Sequence, residues 1–447
     1  MLSVLANRTY RHLLSAQIIA LVGTGLATVA LGLLAYDIAG ANAGAVLGTA
    51  LAIKMVAYIG IGPIVGAFAD RLPRRAFLVA MDVVRAGVAL LLPFVDQIWQ
   101  VYMLIFALQS ASAAFTPTFQ ATIPDILPDD AEYTRALSLS RLAYDLETLL
   151  SPMLAAALLS VISFHWLFGG TAIGFVGSAL LVLSVKLPRS PAKPRTKDNG
   201  GGIYARTTRG MRIYLKTPRL RGLLAVNLAA AAASAMVIVN TVVIVREVFG
   251  FGQREVALSL AAYGGGSMLA ALALPRLLDR IEGRTVMLGG AVVLTVALAA
   301  LGLASGGMTA AFWPILLAGW FIMGMAYAAA LTPSGLLLRR SAQAEDRPAV
   351  FAAQFALSHA CWLIAYPLAG QVGARFGQQP ALFALAALAT CGVVAALWLW
   401  PARDPKAIEH EHPDLPENHP HKLDHATSQS GHVHDYLIDD LHANWPR

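Results

Sequence analysis

Gly66-Ala67-Phe68-Ala69-Asp70-Arg71-Leu72-Pro73-Arg74-Arg75 is a charged turn set between two long apolar stretches, near 45–69 and 75–95. It has an echo in the second half of the chain: Pro275-Arg276-Leu277-Leu278-Asp279-Arg280-Ile281-Glu282-Gly283-Arg284. Both contain Asp-Arg-x-x-x-Arg after an apolar stretch. A second echo pairs Ala114-Phe115-Thr116-Pro117-Thr118 with Ala330-Leu331-Thr332-Pro333-Ser334. Two echoes at corresponding places point to a duplicated unit. Parallel repeats of this kind enclose a path at the bilayer midplane.

The stretches on either side carry the same message. Of 447 residues, 57% are hydrophobic and 13% charged, with mean hydropathy +0.62. A soluble domain carries about a quarter charged residues, so a water-soluble enzyme is excluded. A helix needs about 20 apolar residues to cross roughly 30 Å of hydrocarbon. Breaks at charged or Gly/Pro-rich points mark twelve spans, near 14–39, 45–69, 75–95, 98–121, 136–162, 166–187, 222–248, 255–277, 285–306, 310–334, 349–374 and 380–400. The runs are continuous and do not alternate, which excludes an outer-membrane barrel. Cys361 and Cys391 both lie in apolar runs and read as small buried hydrophobes, not as a disulfide. Arg8 and Arg11 precede the first span without a small-residue cleavage site, so that span reads as a retained helix.

Charge fixes the expected orientation. The turns near Ala41, Gln97, His165 and Gly306 carry no Lys or Arg, and the remaining turns of that side carry only Arg246, Arg254 and Arg375. The other connections hold Arg71, Arg74, Arg75, Arg135, Arg276, Arg280, Arg284, Arg339, Arg340 and Arg347, with a dense basic run from Lys186 to Arg221. The positive-inside rule puts both termini in the cytoplasm of a bacterium whose inner membrane the chain crosses. The net charge of +7 is spread over loops at the membrane surface, and no nucleic-acid partner is expected. The organisation read from this is an N-terminal bundle (1–187), a basic linker (188–218), a C-terminal bundle (219–400) and a polar tail (401–447). Pro191, Pro194 and Gly200 to Gly202 mark the linker as flexible.

Gly66-x-x-x-Asp70-Arg71-x-Pro73-Arg74-Arg75 resembles the cytoplasmic-loop signature of the major facilitator superfamily, with Pro73 where glycine is more usual. The resemblance covers roughly residues 8–400. It implies an all-α membrane protein of twelve transmembrane helices in two six-helix bundles, working by alternating access. It also implies a conformational latch at Gly66, Asp70, Arg71, Arg74 and Arg75, repeated at Asp279, Arg280 and Arg284. The physics agrees. Gly66 permits close helix approach, and Asp70 suits a helix N-terminus.

Charges inside spans are costly, about 2.5–3.5 kcal/mol each on insertion scales, and default to function. The fifth span holds Arg141, Tyr144, Asp145, Glu147, Thr148 and Ser151. Arg141 and Asp145 stand one turn apart and share a face, while Glu147 points about 200° from Asp145 by helix geometry. The expected proton or cation site is Asp145, with Glu147 the other candidate; an internal ion-pair network is the competing reading. Lys54 lies deep in the second span, placed to neutralise Asp37 or an acid of the fifth span. Asp82 and Arg85, three apart in the inner half of the third span, read as pairing with loops and not with substrate. His359, near Cys361, is a candidate ligand for nickel or zinc, or a hydrogen-bonded packing residue.

The tail changes character. Eight of the eleven histidines fall there: His410, His412, His419, His421, His425, His432, His434 and His442. Three pairs are His-x-His, and nine acids lie among them. Such a tract suits divalent nickel, cobalt, zinc or copper without naming one, and its polarity reads as disorder. Joined to a twelve-span carrier, the tail resembles the histidine-rich C-terminus of NreB-type nickel-resistance permeases. That resemblance implies export of nickel or cobalt from the cytoplasm as cargo; the expected mechanism is proton-coupled, with no resident cofactor, in a monomer. Two alternatives stay open: an exporter of drugs or other organic solutes, and a membrane metal sensor or buffer that does not transport. The chain has no Gly-rich nucleotide loop followed by Lys, which disfavours ATP-driven pumping.

Overall fold

Asn7 opens the first helix. Its side-chain oxygen accepts from the backbone N–H groups of Thr9 and Tyr10 at 3.0 and 3.1 Å, satisfying two of the donors a helix start leaves free. Helix α1 then runs Arg8–Ala39 and stops at Gly40, whose φ of 53° only glycine adopts easily. The structure, a computed structural model, describes residues 2–68, 73–187, 203–307, 309–343, 346–402, 407–410, 432–439, 441–442 and 444–446. The first half continues with α2 (Ala43–Phe68), α3 (Arg74–Leu91), α4 (Ile98–Ile126), α5 (Asp130–Leu159) and α6 (His165–Leu183). A helix at the bundle edge, α7 (Ile203–Lys216), leads to α8 (Pro218–Val243), α9 (Gln253–Leu278), α10 (Gly283–Ala304), α11 (Trp313–Leu331), short α12 (Ser334–Arg340), α13 (Arg347–Phe376) and α14 (Gln378–Leu399).

The two halves repeat one packing scheme. In the first, α1 packs on α5 and α6, α2 on α4, and α3 on α4 and α6; in the second, α8 packs on α13 and α14, α9 on α11, and α10 on α11 and α14. Small residues make the crossings possible. Thr171 donates to the Gly23 carbonyl at 2.8 Å, and a Cβ at Gly392 would stand 2.7 Å from the Ala225 carbonyl. Lipid gives helices no hydrophobic reason to associate, so close backbone approach supplies the attraction.

The bundles meet along α2 with α13 and α5 with α9. The face opposite the basic loops is sealed. A Cβ at Gly370 would overlap the Gly44 carbonyl, one at Gly48 would stand 2.5 Å from the Tyr366 carbonyl, and one at Gly44 2.8 Å from Asn240 Oδ1. Beside this seam a π-helical turn, Ile244–Val248, carries Arg246 and Glu247 to the end of α1. Arg246 meets Asp37 at 3.3 Å, and the Tyr36 hydroxyl donates to Glu247 at 2.8 Å. An exposed ion pair contributes about 0.2–1 kcal/mol, whereas overpacking a helix seam costs about 1–3 kcal/mol. The glycines therefore dominate. Gly48→Leu is expected to part α2 from α13, and Arg246→Ala to change little. Disulfide crosslinking of a Thr49→Cys/Gln371→Cys pair, in a chain lacking Cys361 and Cys391, measures this; those side chains lie 3.5 Å apart.

Two stretches read as unstructured differ from that expectation. Part of the linker is α7, whose Tyr214 is fully buried and donates to Gln354 of α13. The tail forms a short antiparallel ribbon, β1 (Ala407–His410) with β2 (His432–Asp435), setting His410 opposite His432. Beyond it Tyr436 and Ile438 are buried with Ile213, Tyr214, Leu220 and Trp400. These few apolar residues bury enough surface to order their neighbours.

Asp439 clamps the docked end. It accepts from Gln343 at 2.9 Å, from the His442 amide at 2.7 Å, and sits 2.8 Å from His442 Nδ1. Burial alone raises its carboxyl, but the hydrogen bonds from His442 and Leu441 outweigh it and hold it below the ordinary value of 3.8. A depressed carboxyl contributes stability present above 3.8 and lost as pH falls through its lower folded value. Hydrogen-exchange protection at Leu437 and Ile438 is expected to stay level from about pH 7 to 5 and to fall only below the ordinary carboxylate range.

Candidate functional site

Polar and aromatic side chains gather where the two bundles meet, along α2 with α13 and α5 with α9. Lys54 comes from the middle of α2, and Glu147 and Ser151 from α5. Gly25 of α1 makes room for them: a Cβ there would stand 3.0 Å from Glu147 Oε1 and would overlap Ser151. Glu147 is within electrostatic range of both Lys54 and the Tyr366 hydroxyl of α13. Lys54 Nζ lies 5.9 Å from the Tyr58 ring centre, a weak cation–π arrangement.

Aromatic rings complete the lining. Tyr263 of α9 and Tyr327 of α11 stand 6.0 Å apart, and the Tyr263 hydroxyl shares a hydrogen bond with Ser234 at 2.7 Å. Trp362 and Tyr366 pair at 4.9 Å on α13. Tyr58, His359 and Phe355 form a stack across the seam, with ring centres 5.3 and 4.0 Å from His359. Among the described residues the site is thus one carboxylate and one ammonium among tyrosines, with one histidine and one tryptophan. It can hold a charge, accept and donate hydrogen bonds, and stack on planar groups.

The residues singled out in the sequence distribute as follows. Glu147 and Lys54 come together. Asp37 does not join them; it lies at the sealed end of α1 with Arg246. The side chains of Arg141 and Asp145 lie outside the described residues, as do Asp70, Arg71, His412, His419, His421 and His425, and the side chains of His410, His432 and His434. His359 does not converge with Cys361. Its Nδ1 is 2.6 Å from the Phe355 carbonyl, while Cys361 Sγ points to the Leu224 carbonyl of α8 at 3.9 Å. Residues two apart on a helix diverge by about 200°. Among the described residues no group of three or more His, Cys, Asp or Glu converges as a metal site.

Asp82 and Arg85 turn to each other and to helices of the first bundle, not to loops: the buried pair is reinforced by Ser178 at 2.7 Å and by the Phe115 and Phe175 rings near the guanidinium. On the basic face, Arg74 pairs with Asp125, Arg75 donates to the Leu183 carbonyl, and Arg284 donates to the Trp400 carbonyl at 2.8 Å. Each holds a partner of its own bundle. Gly66 lies in the last turn of α2, and Asp279 and Arg280 follow the end of α9. The tyrosines were missed from sequence. Tyr263, Tyr327 and Tyr366 sit in apolar runs where an aromatic reads as packing.

The Major Facilitator Superfamily matches residues 13–305 and 223–424. The chain belongs to that superfamily. It is a multi-pass membrane transporter of the superfamily type. The MFS-type transporter YfiS of Bacillus subtilis is 23% identical over 303 residues, 66% of this chain and 70% of that protein. Macrolide efflux protein A of Enterococcus faecalis is 24% identical over 162 residues, 34% of this chain and 50% of that relative. The fold is similar to the nucleoside transporter NupG, with TM-score 0.61, 15% identity, and 88% and 98% of the two chains covered. It is also similar to a bacterial homologue of the human lysosomal transporter Spinster in an inward-facing, occupied conformation, with TM-score 0.64, 14% identity, and 87% and 95% covered.

Proposed function

We propose that this transporter is a proton-coupled exporter of small organic solutes, crossing the bacterial inner membrane with its basic face in the cytoplasm. The observation that carries this is Glu147 set against Gly25 and within electrostatic range of Lys54 and Tyr366, with Tyr263, Tyr327 and Trp362 nearby. A membrane-buried charge defaults to function, and rings with hydroxyls suit an organic molecule better than a bare cation. The similarity to a macrolide efflux protein supports outward transport.

In this reading the sealed face is periplasmic. Solute enters from the cytoplasm, stacks on the tyrosines and draws Lys54 away from Glu147. Rocking of the bundles about the α2–α13 and α5–α9 seams opens the glycine contact and releases the solute. A proton taken by Glu147 from the periplasm returns the carrier and leaves on the cytoplasmic side. The arginines of the basic face, Arg74, Arg75 and Arg284 with Asp70, Arg71, Asp279 and Arg280, act as the latch that closes the cytoplasmic face in the alternate state.

A second reading keeps nickel or cobalt as cargo, and the histidine-rich tail favours it. The ribbon register that faces His410 with His432 is compatible with metal capture before export. The two readings separate in everted vesicles with an acid-inside gradient. An organic exporter accumulates a fluorescent aromatic cation or a macrolide and ignores Ni²⁺. A metal exporter accumulates ⁶³Ni²⁺ and loses part of the rate when residues 411–431 are removed. Vesicles containing folded protein that accumulate neither overturn both.

A further inference from the structure

On the basic face, where α8 begins and α14 ends, the docked tail closes a cleft of about 870 Å³. Lys216, Pro218, Arg221, Trp398, Asn444 and Trp445 line it. Three features give the cleft a chemical sense. It is positive: Lys216 and Arg221 border it, no acid is among its described lining residues, and the N-terminus of α8, a long helix, opens onto it. It has an unmet donor, because Arg221 Nε is buried without a hydrogen-bond acceptor among the described residues, and such a group costs stability unless something fills the role. It also lies at headgroup depth. Trp398, in the last turn of a spanning helix, is 84% exposed on the flank where tryptophans mark the membrane–water boundary.

We propose that this cleft binds the phosphate of an anionic phospholipid from the leaflet at the basic face. Lys216 and Arg221 take the phosphate, and Trp398 lies along the glycerol and upper acyl chain. The tail supplies the remaining wall. Lys216 donates to Asn444 Oδ1 at 2.8 Å, and Trp445 stacks under the Arg219 guanidinium at 5.2 Å. The lipid therefore holds Tyr436, Ile438, Asn444 and Trp445 in their docked position, coupling membrane composition to the placement of the histidine-rich segment. The site is separate from the space between the bundles and does not depend on the cargo.

The full chain, purified in detergent and stripped of lipid, tests this by thermal unfolding. Dioctanoyl phosphatidylglycerol is expected to raise the midpoint, dioctanoyl phosphatidylcholine to leave it in place, and inorganic phosphate at equal concentration to do little. Lys216→Gln with Arg221→Gln is expected to weaken the response about tenfold or more, the loss carried by two basic contacts to an anionic headgroup. Arg339→Gln, a basic residue of the same face outside the cleft, should respond as the unmodified chain. Hydrogen exchange supplies a readout that needs no variant: phosphatidylglycerol should slow exchange at Leu437 and Ile438. Equal response to phosphatidylcholine, an unchanged response in the double variant, or exchange at the tail indifferent to the anionic lipid overturns the proposal. An equal rise with inorganic phosphate alone would overturn the lipid as occupant and leave a free-anion site.

Discussion

Glu147→Gln is expected to abolish gradient-driven accumulation in everted vesicles while sparing exchange of solute across vesicles at equal pH. Glutamine keeps the size and hydrogen-bonding shape of the side chain against Gly25 but cannot carry a proton. Loss of a proton-transfer group acts on the scale of 100-fold or more, by order of magnitude, so accumulation should fall to background. Exchange without a gradient needs only binding and rocking, and it should persist. Glu147→Asp should restore part of the coupled rate, because the charge returns with a shorter reach. A full coupled rate in Glu147→Gln would move the proton site elsewhere on α5, and Asp145→Asn would be the next variant to assay.

The second large effect concerns stability. Asp82 is fully buried and Arg85 nearly so, and among the described residues they are compensated by each other, Ser178 and the rings of Phe115 and Phe175. Removing one partner strands a charge in the bundle core, which costs about 3–5 kcal/mol, whereas replacing a buried pair with apolar residues of similar volume is often near neutral. Asp82→Leu and Arg85→Met should each lower stability by about that amount. The double variant should recover most of the loss. Denaturant titration in mixed micelles measures the cycle, and additive single effects would show that the pair is not coupled. This pair also shows why a charge inside a span is not by itself a transport site: Asp82 and Arg85 are enclosed by helices of their own bundle, whereas Glu147 is within electrostatic range of Tyr366 of the other one.

How much of this could be read in advance differs from element to element. The helices follow directly from apolar run length, and the duplicated packing of α1–α6 and α8–α14 follows from the echoed Asp-Arg-x-x-x-Arg and Thr-Pro segments. The docked tail was hidden because composition over 401–447 averages Tyr436, Ile438 and Trp445 into a polar background. The linker helix α7 was hidden for a related reason. Proline and glycine at 191–202 set the character of the whole segment, while the amphipathic stretch after Ile203 is short. His359 and Cys361 illustrate a different error. Proximity in sequence suggested a shared ligand, and helix geometry turned the two side chains to opposite sides.

The chain by itself determined that it is a membrane protein of two like halves, and roughly where its spans lie, because burying a backbone in hydrocarbon leaves one solution for every apolar run of sufficient length. It also showed that Asp145 and Glu147 lie on different faces of α5, because 3.6 residues per turn dictate their separation. Which of those faces looks into the space between the bundles is a question of helix rotation, and rotation has no local cause. It is decided where α5 meets Gly25 of α1 and packs on α9: only a glycine at that depth admits Ser151 and Glu147. The same holds for the sealed face, where Gly44, Gly48 and Gly370 acquire their meaning from residues more than three hundred positions apart. Apolar pattern selects the elements; close packing of small residues selects their arrangement.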